Sequence, residues 1–344
     1  MPAATVHKQT VPDTQIKGTP VQIAVLLPCF NEEVTIAEVV RGFARALPGA
    51  VIFVYDNNST DATAARAAEA GATVCQEPLQ GKGNVVRRMF ADIEADVYLM
   101  ADGDGTYDPT SAPELVKLVA EGGIDMVVGA RKESGDAAAW SHRRRFGNRM
   151  LTGFVAMMFG NHFTDILSGY RAFSRRFVKS FPALARGFEI ETELTVHALE
   201  LRIRVAEIET PYIARPEGSE SKLSTPRDGA RILRAIFLLL KEERPFRFFG
   251  AISLVLATVS VVFAYPLLTT FLETGLVPRV PTAVLCTGLM LLAFLSLTCG
   301  LILDSVSRGR REIKRLAHLA VPAMGATRAV KKSAVARRTI GRDG

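Results

Sequence analysis

The sequence predicts an α/β domain with a mostly parallel sheet, followed by a helical hairpin that crosses a membrane. Residues 21–128 alternate short runs rich in Val, Ile and Leu with segments of helical periodicity. This alternation is the pattern of right-handed strand–helix–strand crossovers. Later in the chain, residues 251–272 and 280–303 contain no charged side chain and are long enough to cross a bilayer as helices.

Composition narrows the class of protein. The chain has 344 residues, of which 48% are hydrophobic and 22% charged, so a large core is expected and a disordered chain is excluded. Its four cysteines lie far apart without zinc-ligand spacing, so neither a disulfide scaffold nor a zinc module is expected. Residues 1–20 have no apolar stretch and are predicted to be a disordered tail rather than a secretory signal.

The α/β domain is expected at residues 21–225. Its strands are predicted at 21–27, 51–55, 72–76, 97–101 and 126–128. The helices between and after them are predicted at 34–47, 60–70, 85–93 and 113–121. Ligands of such sheets bind beyond the carboxyl ends of the strands, so function is expected in the loops that follow the strands.

The membrane anchor is predicted at residues 248–304, as two transmembrane helices. As helices, the two uncharged windows are each roughly 33–36 Å long, whereas the hydrocarbon core is about 30 Å thick. Basic residues flank the outer ends of the hairpin, and the positive-inside rule then predicts a multi-pass protein of the cell inner membrane with the α/β domain and both termini in the cytoplasm. The alternative is a pair of buried core helices.

Two further segments flank the hairpin. Residues 226–247 carry Arg and Lys at helical spacing among apolar residues, which favours an amphipathic helix on the bilayer surface over an ordinary helix with a solvated face. Residues 305–344 are basic throughout and are expected to form a cytoplasmic tail that lies against anionic lipid or is disordered.

Four loops at the predicted strand ends concentrate polar side chains. They are residues 28–32, 56–61, 80–84 and 102–105. Parallel strands end on one edge of a sheet, so these loops are expected to bind a phosphorylated ligand together with a divalent cation. The glycine loop is not a P-loop, no strand precedes a dinucleotide fingerprint, and the Asp102 stretch lacks the glycine and glutamate of an EF-hand.

Asp102 and Asp104 are the strongest candidates for chemistry. Two carboxylates separated only by Gly103 can close on one hard cation, Mg²⁺ or Mn²⁺, which offsets charge on a departing diphosphate. Lys82, in a loop with little steric bulk, is expected to neutralise further phosphate charge. Asp56 can accept a hydrogen bond from a base. The alternatives are a solvated Asp-x-Asp turn and a solvated lysine.

The order of these motifs resembles that of family-2 inverting glycosyltransferases, whose catalytic domain has the Rossmann-like GT-A fold. The resemblance extends over residues 21–222 and is carried by Pro28-x-Phe30-Asn31-Glu32, Asp56 to Asp61, Asp102-Gly103-Asp104 and Asp165-x-x-Ser168-Gly169-Tyr170-Arg171. The most similar branch is that of the dolichyl-phosphate mannose synthases and the bacterial polyprenyl-phosphate glycosyltransferases.

The resemblance implies a role for each motif. Nucleotide-sugar binding is expected from Pro28, Phe30, Asn31, Glu32, Asp56, Lys82, Asp102 and Gly103. Acceptor-phosphate binding is expected from Arg131, Arg143, Arg144, Arg145, Ser168, Arg171 and Lys222. Asp102 and Asp104 are the expected metal ligands and, with Arg131, the expected catalytic residues. Asn57 and Thr106 depart from the family, which has an aspartate and a metal-assisting glutamine at these positions.

A phosphate acceptor fits the sequence better than a hydroxyl acceptor. A sugar hydroxyl needs a general base, whereas a phosphate monoester, with a second pKa of about 6, is largely dianionic at neutral pH and needs cations instead. Basic residues are plentiful after the metal motif. Glu189, Glu191 and Glu193 are candidates for a base, but a structural use of them is favoured.

The sequence therefore predicts a metal-dependent, inverting hexosyltransferase of cell-envelope glycan biosynthesis. It is expected to move a hexose or N-acetylhexosamine from a UDP- or GDP-sugar to polyprenyl phosphate, either undecaprenyl or dolichyl. The alternatives are transfer to a lipid or polysaccharide hydroxyl, and a non-catalytic scaffold that binds nucleotide sugars. Nucleic acid is not an expected partner, because the excess charge flanks the apolar windows without interleaved aromatics. A homo-oligomer is compatible with the hairpin.

Overall fold

The computed structural model of the chain describes residues 9–16, 19–133, 142–160, 163–185, 187, 189–213, 215, 237–238 and 240–323. The chain divides into two compact units. The first unit comprises Met1–Asp228 with Lys314–Gly344, and the second comprises Gly229–Ile313.

The first unit is built on an eight-stranded sheet. In spatial order its strands are β10 (Val205–Tyr212), β8 (Met126–Glu133), β9 (Arg171–Ser174), β7 (Val97–Met100), β3 (Thr19–Cys29), β4 (Val51–Asp56) and β5 (Thr73–Gln76), and β2 (Asp13–Ile16) pairs with β3. β9 is antiparallel to both of its neighbours and β2 is antiparallel to β3, while the other pairs in the sheet are parallel. A separate parallel pair joins β1 (Gln9–Thr10) to β6 (Ile93–Glu94).

Helices of the first unit connect these strands. They are α1 (Ile36–Ala46), α2 (Thr63–Glu69), α3 (Lys82–Asp92), α4 (Ala112–Gly122), α5 (His142–Phe159), α6 (Arg175–Ser180) and α7 (Ile190–Leu201), with a 3-10 turn at Pro109–Ser111. In α1 the buried residues are Ile36, Val39, Val40 and Phe43, the spacing of one helix face packed against a core. That core includes the apolar side chains of β3, β4 and β7.

The predicted fold class is confirmed, and local side chains explain two shifted boundaries. Helix α2 begins at Thr63, because the Asp61 carboxylate accepts the Thr63 N–H at 3.0 Å. Helix α3 begins at Lys82, directly after Gly81, whose φ of 126° is readily adopted only by glycine. The prediction of a disordered tail is wrong for residues 9–16, which contain β1 and β2.

The second unit contains most of two long apolar helices, α8 (Pro245–Thr274) and α9 (Val280–Ala320), both long and apolar enough to cross a membrane. Ser260 Oγ donates to the carbonyl of Cys286 at 2.8 Å. A Cβ added at Gly300 would lie 3.1 Å from the Cβ of Phe249, so small residues bring the two helices together. Of the expected amphipathic segment, residues 226–236 and 239 lie outside the described residues, and Pro245 already begins α8.

The end of α9 belongs to the first unit and corrects the prediction for residues 305–320, which are helical rather than disordered. Lys314 Nζ lies 2.6 Å from Oε2 of Glu200, whose side chain is completely buried. His318 is also buried, with Nδ1 3.3 Å from Ser180 Oγ and Nε2 3.9 Å from Asp125 Oδ2. These contacts hold the last turns of α9 on the α/β unit.

His197 is a buried titratable group in this region. Its ring packs edge-on against Phe177 and Phe181, with centroid distances of 5.5 and 5.2 Å. Among the described residues, neither of its ring nitrogens has a hydrogen-bond partner. Burial lowers the pKa of His197 to about 3, and the nearby Lys314 ammonium also lowers it.

We expect His197 to make the fold acid-sensitive. The unfolded chain takes up a proton at His197 near pH 6.5, whereas the folded chain does so only near pH 3. The contribution of the neutral His197 to the free energy of unfolding is therefore fully present above about pH 6.5, and it is lost as pH falls below that value. His197→Phe keeps the ring contacts without proton uptake, so between about pH 7 and about pH 5 its unfolding temperature should fall less than that of the wild type.

Thermal unfolding of the detergent-solubilised protein at both pH values checks this. Lys314, Glu200 and His318, whose charges act on His197, are unchanged in the variant and contribute equally to both curves. Equal falls in unfolding temperature for the two proteins would show that His197 does not carry the effect.

Candidate active site at the carboxyl edge of the sheet

The sheet brings the predicted loops to one edge. Since β3, β4 and β7 are parallel, the loops that follow Cys29, Asp56 and Met100 leave from the same side. Strand β9 runs the opposite way, so the loop that precedes Arg171 arrives at that side as well. The antiparallel β9 thus brings the loop before Arg171 to this edge, which a purely parallel sheet does not predict.

Lys82 lies at the centre of this edge. Its Nζ is 2.5 Å from Oδ1 of Asp102 and 2.5 Å from Oε1 of Glu191. The side chains of Lys82 and Glu191 are only 9% and 5% exposed, whereas Asp102 is 28% exposed. Burial by itself lowers the pKa of Lys82, but the two carboxylates outweigh it and raise that pKa above its ordinary value. The ammonium is therefore fixed in its charged form, with Asp102 open to solvent.

Gly169 closes over this pair. A Cβ added there would lie 2.9 Å from Asp102 Oδ2 and 3.1 Å from Lys82 Nζ, so a larger residue would displace the ion pair. The Gly169 N–H donates to the Tyr107 hydroxyl at 2.8 Å, which fixes the loop in this position. Gly103 is constrained from the opposite side, because a Cβ on it would collide with Sγ of Cys29.

Asp104 has a different counterion. Its Oδ2 forms an ion pair with Arg215, and its Oδ1 accepts from the Thr106 hydroxyl at 2.6 Å. Arg215 follows the end of β10, where the Ile213 N–H donates to the carbonyl of Thr106 at 2.9 Å. Sequence reasoning missed Arg215, because it is 111 residues from Asp104 in the chain and only the pairing of β10 with β8 brings it to this edge.

The loops expected to bind the nucleoside are organised by their own hydrogen bonds. Asn31 has a φ of 52°, its side-chain Oδ1 accepts the Thr60 N–H at 2.8 Å, and its backbone N–H donates to Ser59 Oγ at 2.9 Å. Asp56 is buried, and both of its carboxylate oxygens lie 3.3 Å from the Ser59 N–H. The Glu32 side chain is buried. The remaining members, Pro28 and Phe30, are half-buried at the end of β3.

Asn57 joins two of these loops. Its amide nitrogen donates to the carbonyls of Glu77 and Leu79 at 2.8 and 2.9 Å, and its Oδ1 accepts the Gly81 N–H at 2.7 Å. A carboxylate cannot donate to carbonyls. The departure from the family aspartate therefore has a structural reason: an amide ties the loop after β4 to the loop before α3.

Arg131, the expected acceptor contact, forms a two-pronged ion pair. Its Nε and Nη2 lie 2.6 and 2.8 Å from the two carboxylate oxygens of Asp165. Asp165 also accepts from Asn148 Nδ2 at 3.0 Å. Burial raises the pKa of Asp165, but Arg131 outweighs this effect and the pKa is lowered overall. The guanidinium also lies over the Tyr212 ring, 5.7 Å from its centroid, so Arg131 is rigidly placed.

Arg171 and Ser168 are structural in this arrangement, which corrects their expected role at the acceptor phosphate. Arg171 is completely buried and donates to the carbonyls of Ser168 and Ile166 and to the Thr195 hydroxyl, at 2.6 to 2.9 Å. Burial lowers the pKa of Arg171 to about 10, so it remains charged at neutral pH. Ser168 is also buried and donates to the carbonyl of Gly129 at 2.6 Å.

The remaining predicted positions are distributed as follows. Arg143, Arg144 and Arg145 lie on the first turns of α5, and Lys222 lies outside the described residues. Glu193 accepts the N–H groups of Leu184 and Ala185 at 3.0 and 2.8 Å, as the favoured structural use predicts. Of the three candidate glutamates, it is Glu191 that reaches the site.

Comparison with known proteins identifies the family. Residues 24–181 match the model of glycosyl transferase family 2. Glycosyltransferase AglJ of Haloferax volcanii is 34% identical over 312 residues, which cover 88% of this chain and 99% of that protein. The chain belongs to glycosyl transferase family 2.

Two further similarities support the assignment of this chain to the glycosyltransferase family. A dolichyl-phosphate hexose transferase of Haloferax volcanii is 28% identical over 222 residues, 64% of this chain and 95% of that protein. A crystal structure of glucosyl-3-phosphoglycerate synthase from Mycobacterium tuberculosis, in complex with Mn²⁺, UDP-glucose and phosphoglyceric acid, matches with a TM-score of 0.52 and 26% identity, over 64% of this chain and 79% of that one.

The donor atoms of this glycosyltransferase fit a divalent cation. Within the described residues no three His, Cys, Asp or Glu side chains form a complete metal site. Asp102 and Asp104 supply hard carboxylate oxygens, and such a pair leaves the other coordination positions to water and phosphate oxygens. Among the described residues Glu191 Oε2 is buried without a hydrogen-bond partner, which adds to the negative character of the site.

We expect Asn57→Asp to destabilise the glycosyltransferase by about 1–3 kcal/mol, because the buried carbonyl of Glu77 and the partly buried carbonyl of Leu79 lose their donor and face a carboxylate instead. Asn58→Asp is the matched control: Asn58 is exposed and donates to Pro78 and Gln80 on the same loop, so its change is expected to cost about 0.5 kcal/mol or less. Thermal unfolding compares the two, and equal shifts would contradict a special role for Asn57.

Proposed function

We propose that this glycosyltransferase transfers a hexose or N-acetylhexosamine from a UDP- or GDP-sugar to polyprenyl phosphate, with inversion, at the cytoplasmic face of the membrane. The observation that carries the proposal is the pairing of Asp102 with Lys82 at the carboxyl edge, beside Asp104. The same chain contains two helices of membrane-spanning length, which suits a lipid acceptor.

The donor side is assigned to the loops after β3, β4 and β7. Pro28, Phe30, Asn31, Glu32 and Asp56 would surround the nucleoside, and Gly103, which packs closely against Cys29, would hold its two flanking aspartates at the diphosphate. Asp102 and Asp104 would hold Mg²⁺ or Mn²⁺, which when bound offsets the negative charge of the leaving diphosphate. The solved relative that contains Mn²⁺ and UDP-glucose supports this assignment.

The acceptor side is assigned to the basic residues of β8 and α5. Arg131, held by Asp165, would face the acceptor phosphate, and Arg143, Arg144, Arg145 and Lys222 would add positive charge around it. The similarity to a dolichyl-phosphate hexose transferase supports a lipid phosphate as acceptor. Glu191 binds the Lys82 ammonium, and we assign it to positioning that lysine rather than to removing a proton.

The reaction requires no general base. An oxygen of the dianionic phosphate attacks the anomeric carbon of the sugar from the side opposite the nucleotide. The bond between that carbon and the diphosphate breaks, and its electron pair leaves with UDP or GDP. Lys82 would contribute fixed positive charge to the departing diphosphate, and the product is a sugar joined to the lipid through phosphate.

Asp104→Ala tests the donor side. We expect its sugar transfer to fall about 100-fold or more, because charge on the leaving group is no longer offset. Asp108→Ala is the matched control, since that carboxylate accepts the Thr110 N–H at 2.9 Å in the same loop and has no assigned role in the reaction. Transfer assays and thermal unfolding of both variants check this, and activity of Asp104→Ala near the wild-type level would refute the assignment.

The acceptor is tested with radiolabelled donor sugars, UDP-linked and GDP-linked, supplied with polyprenyl phosphate or with the free polyprenol. We expect the labelled sugar to enter the lipid fraction only when polyprenyl phosphate is supplied. Mild acid should release this label, because a phosphate-linked sugar is acid-labile whereas a simple glycoside is stable. Acid-stable product from the free alcohol would favour a hydroxyl acceptor. Metal-dependent nucleotide binding without transfer to either lipid would favour a non-catalytic scaffold.

A further inference from the structure

Glu207, on β10, binds the loop that precedes Arg171. Its Oε1 accepts the N–H groups of Thr164 and Asp165, each at 3.0 Å. Its Oε2 accepts the N–H and the hydroxyl of Thr164, at 2.8 and 3.0 Å. Hydrogen bonds to an ionised carboxylate are roughly twice as strong as those between neutral groups. One side chain therefore fixes the backbone of two successive residues in this loop.

The same loop carries the carboxylate that orients Arg131. The Asp165 side chain is only 6% exposed, and its two oxygens lie 2.6 and 2.8 Å from Nε and Nη2 of Arg131. A two-point contact of this kind fixes the plane of the guanidinium as well as its position. A rotation of the Asp165 backbone would therefore change the direction in which Arg131 points. Glu207 binds the N–H of that residue, so it acts on the arginine through Asp165.

The sheet makes this connection stiff. Strands β8 and β10 pair in parallel, with Glu207 opposite Val128 and Thr210 opposite Arg131. The loop at Asp165 thus contacts both strands of one pair, through Glu207 on β10 and through Arg131 on β8. A loop held by two hydrogen-bonded strands of the same sheet has little freedom to move relative to either of them.

We propose that Glu207 is a positioning residue for the acceptor phosphate, which holds Asp165 in the place from which it orients Arg131. This inference rests on the proposed phosphate acceptor. The attacking phosphate oxygen gives up negative charge as its bond to the sugar forms, so a cation attracts the free acceptor at least as strongly as it attracts the transition state. Such an interaction lowers KM without raising kcat. Loss of Glu207 therefore weakens acceptor binding and spares the rate at saturation.

Steady-state kinetics of the full-length protein in detergent test this role, with polyprenyl phosphate and the nucleotide sugar varied in turn. Glu207→Gln is nearly isosteric, but it keeps one acceptor oxygen and places an amide NH₂ against a backbone N–H. We expect its KM for polyprenyl phosphate to rise about fivefold, while kcat and the KM for the nucleotide sugar stay within about twofold of the wild type. In Glu207→Ala, which keeps neither oxygen, the KM for polyprenyl phosphate should rise further.

Glu209→Gln is the matched control. Glu209 lies two residues further along β10, and its ion pair with Lys132 is exposed, with about two thirds of each side chain open to solvent. This change also removes one negative charge from the same strand, so it should leave both KM values and kcat unchanged. An equal rise in the acceptor KM of Glu209→Gln would show that charge on β10, rather than the hold on Asp165, is responsible, and would overturn the proposal.

A double-mutant cycle separates positioning from a general structural role. Arg131→Lys keeps a cation beside Asp165 but loses the two-point geometry, so we expect its KM for polyprenyl phosphate to rise about fivefold. If Glu207 acts through Arg131, adding Glu207→Gln to Arg131→Lys raises this KM no further, whereas independent effects multiply.

The outcomes distinguish this proposal from the one beneath it. Multiplying effects, or an acceptor KM that does not rise in Glu207→Gln or in Arg131→Lys, would refute the positioning role while the phosphate acceptor stands. If the wild type transfers no sugar to polyprenyl phosphate, the proposed function itself fails and the positioning role fails with it.

Discussion

The ammonium of Lys82, shared between the partly exposed Asp102 and the nearly buried Glu191, is the interaction on which the site depends. Removing the lysine and the glutamate from water costs several kcal/mol per ion unless the two are well paired. Here one ammonium is 2.5 Å from an oxygen of each carboxylate. The three-residue ion pair of Lys82 with Asp102 and Glu191 therefore constrains three separate elements: the start of α3, the loop after β7 and the first turn of α7.

Strand β9 explains how a further loop reaches the same place. Because it runs against its two neighbours, the loop before it meets the carboxyl ends of the parallel strands. Arg171 then uses its buried guanidinium to satisfy the carbonyls of Ser168 and Ile166, groups that would otherwise be costly to bury. The motif from Asp165 to Arg171 is thus a rigid turn. This turn places Gly169 against Asp102 and Lys82.

What the sequence predicts well follows from local rules. Apolar runs and helical periodicity locate the strands and helices, and strand direction then places Asp102, Asp104 and Lys82 on one edge. Contacts between residues far apart in sequence are not accessible to such rules. Glu191 reaches the site because α7 lies beside α3, and Arg215 because β10 pairs with β8, so neither is selected by spacing. Arg171 was assigned to the acceptor site by its motif, but it is completely buried, and a motif match gives no information about burial.

Helix α7 connects the site to the end of the chain. Its first turn carries Glu191, which holds Lys82, and its last turn carries the completely buried Glu200, which pairs with Lys314 at 2.6 Å. A helix fixed by a buried ion pair at each end has little freedom to shift along its axis, because a shift that improves one pair would break the other. The segment after Ile313 is therefore more than a basic tail, since it anchors the helix that positions the central lysine.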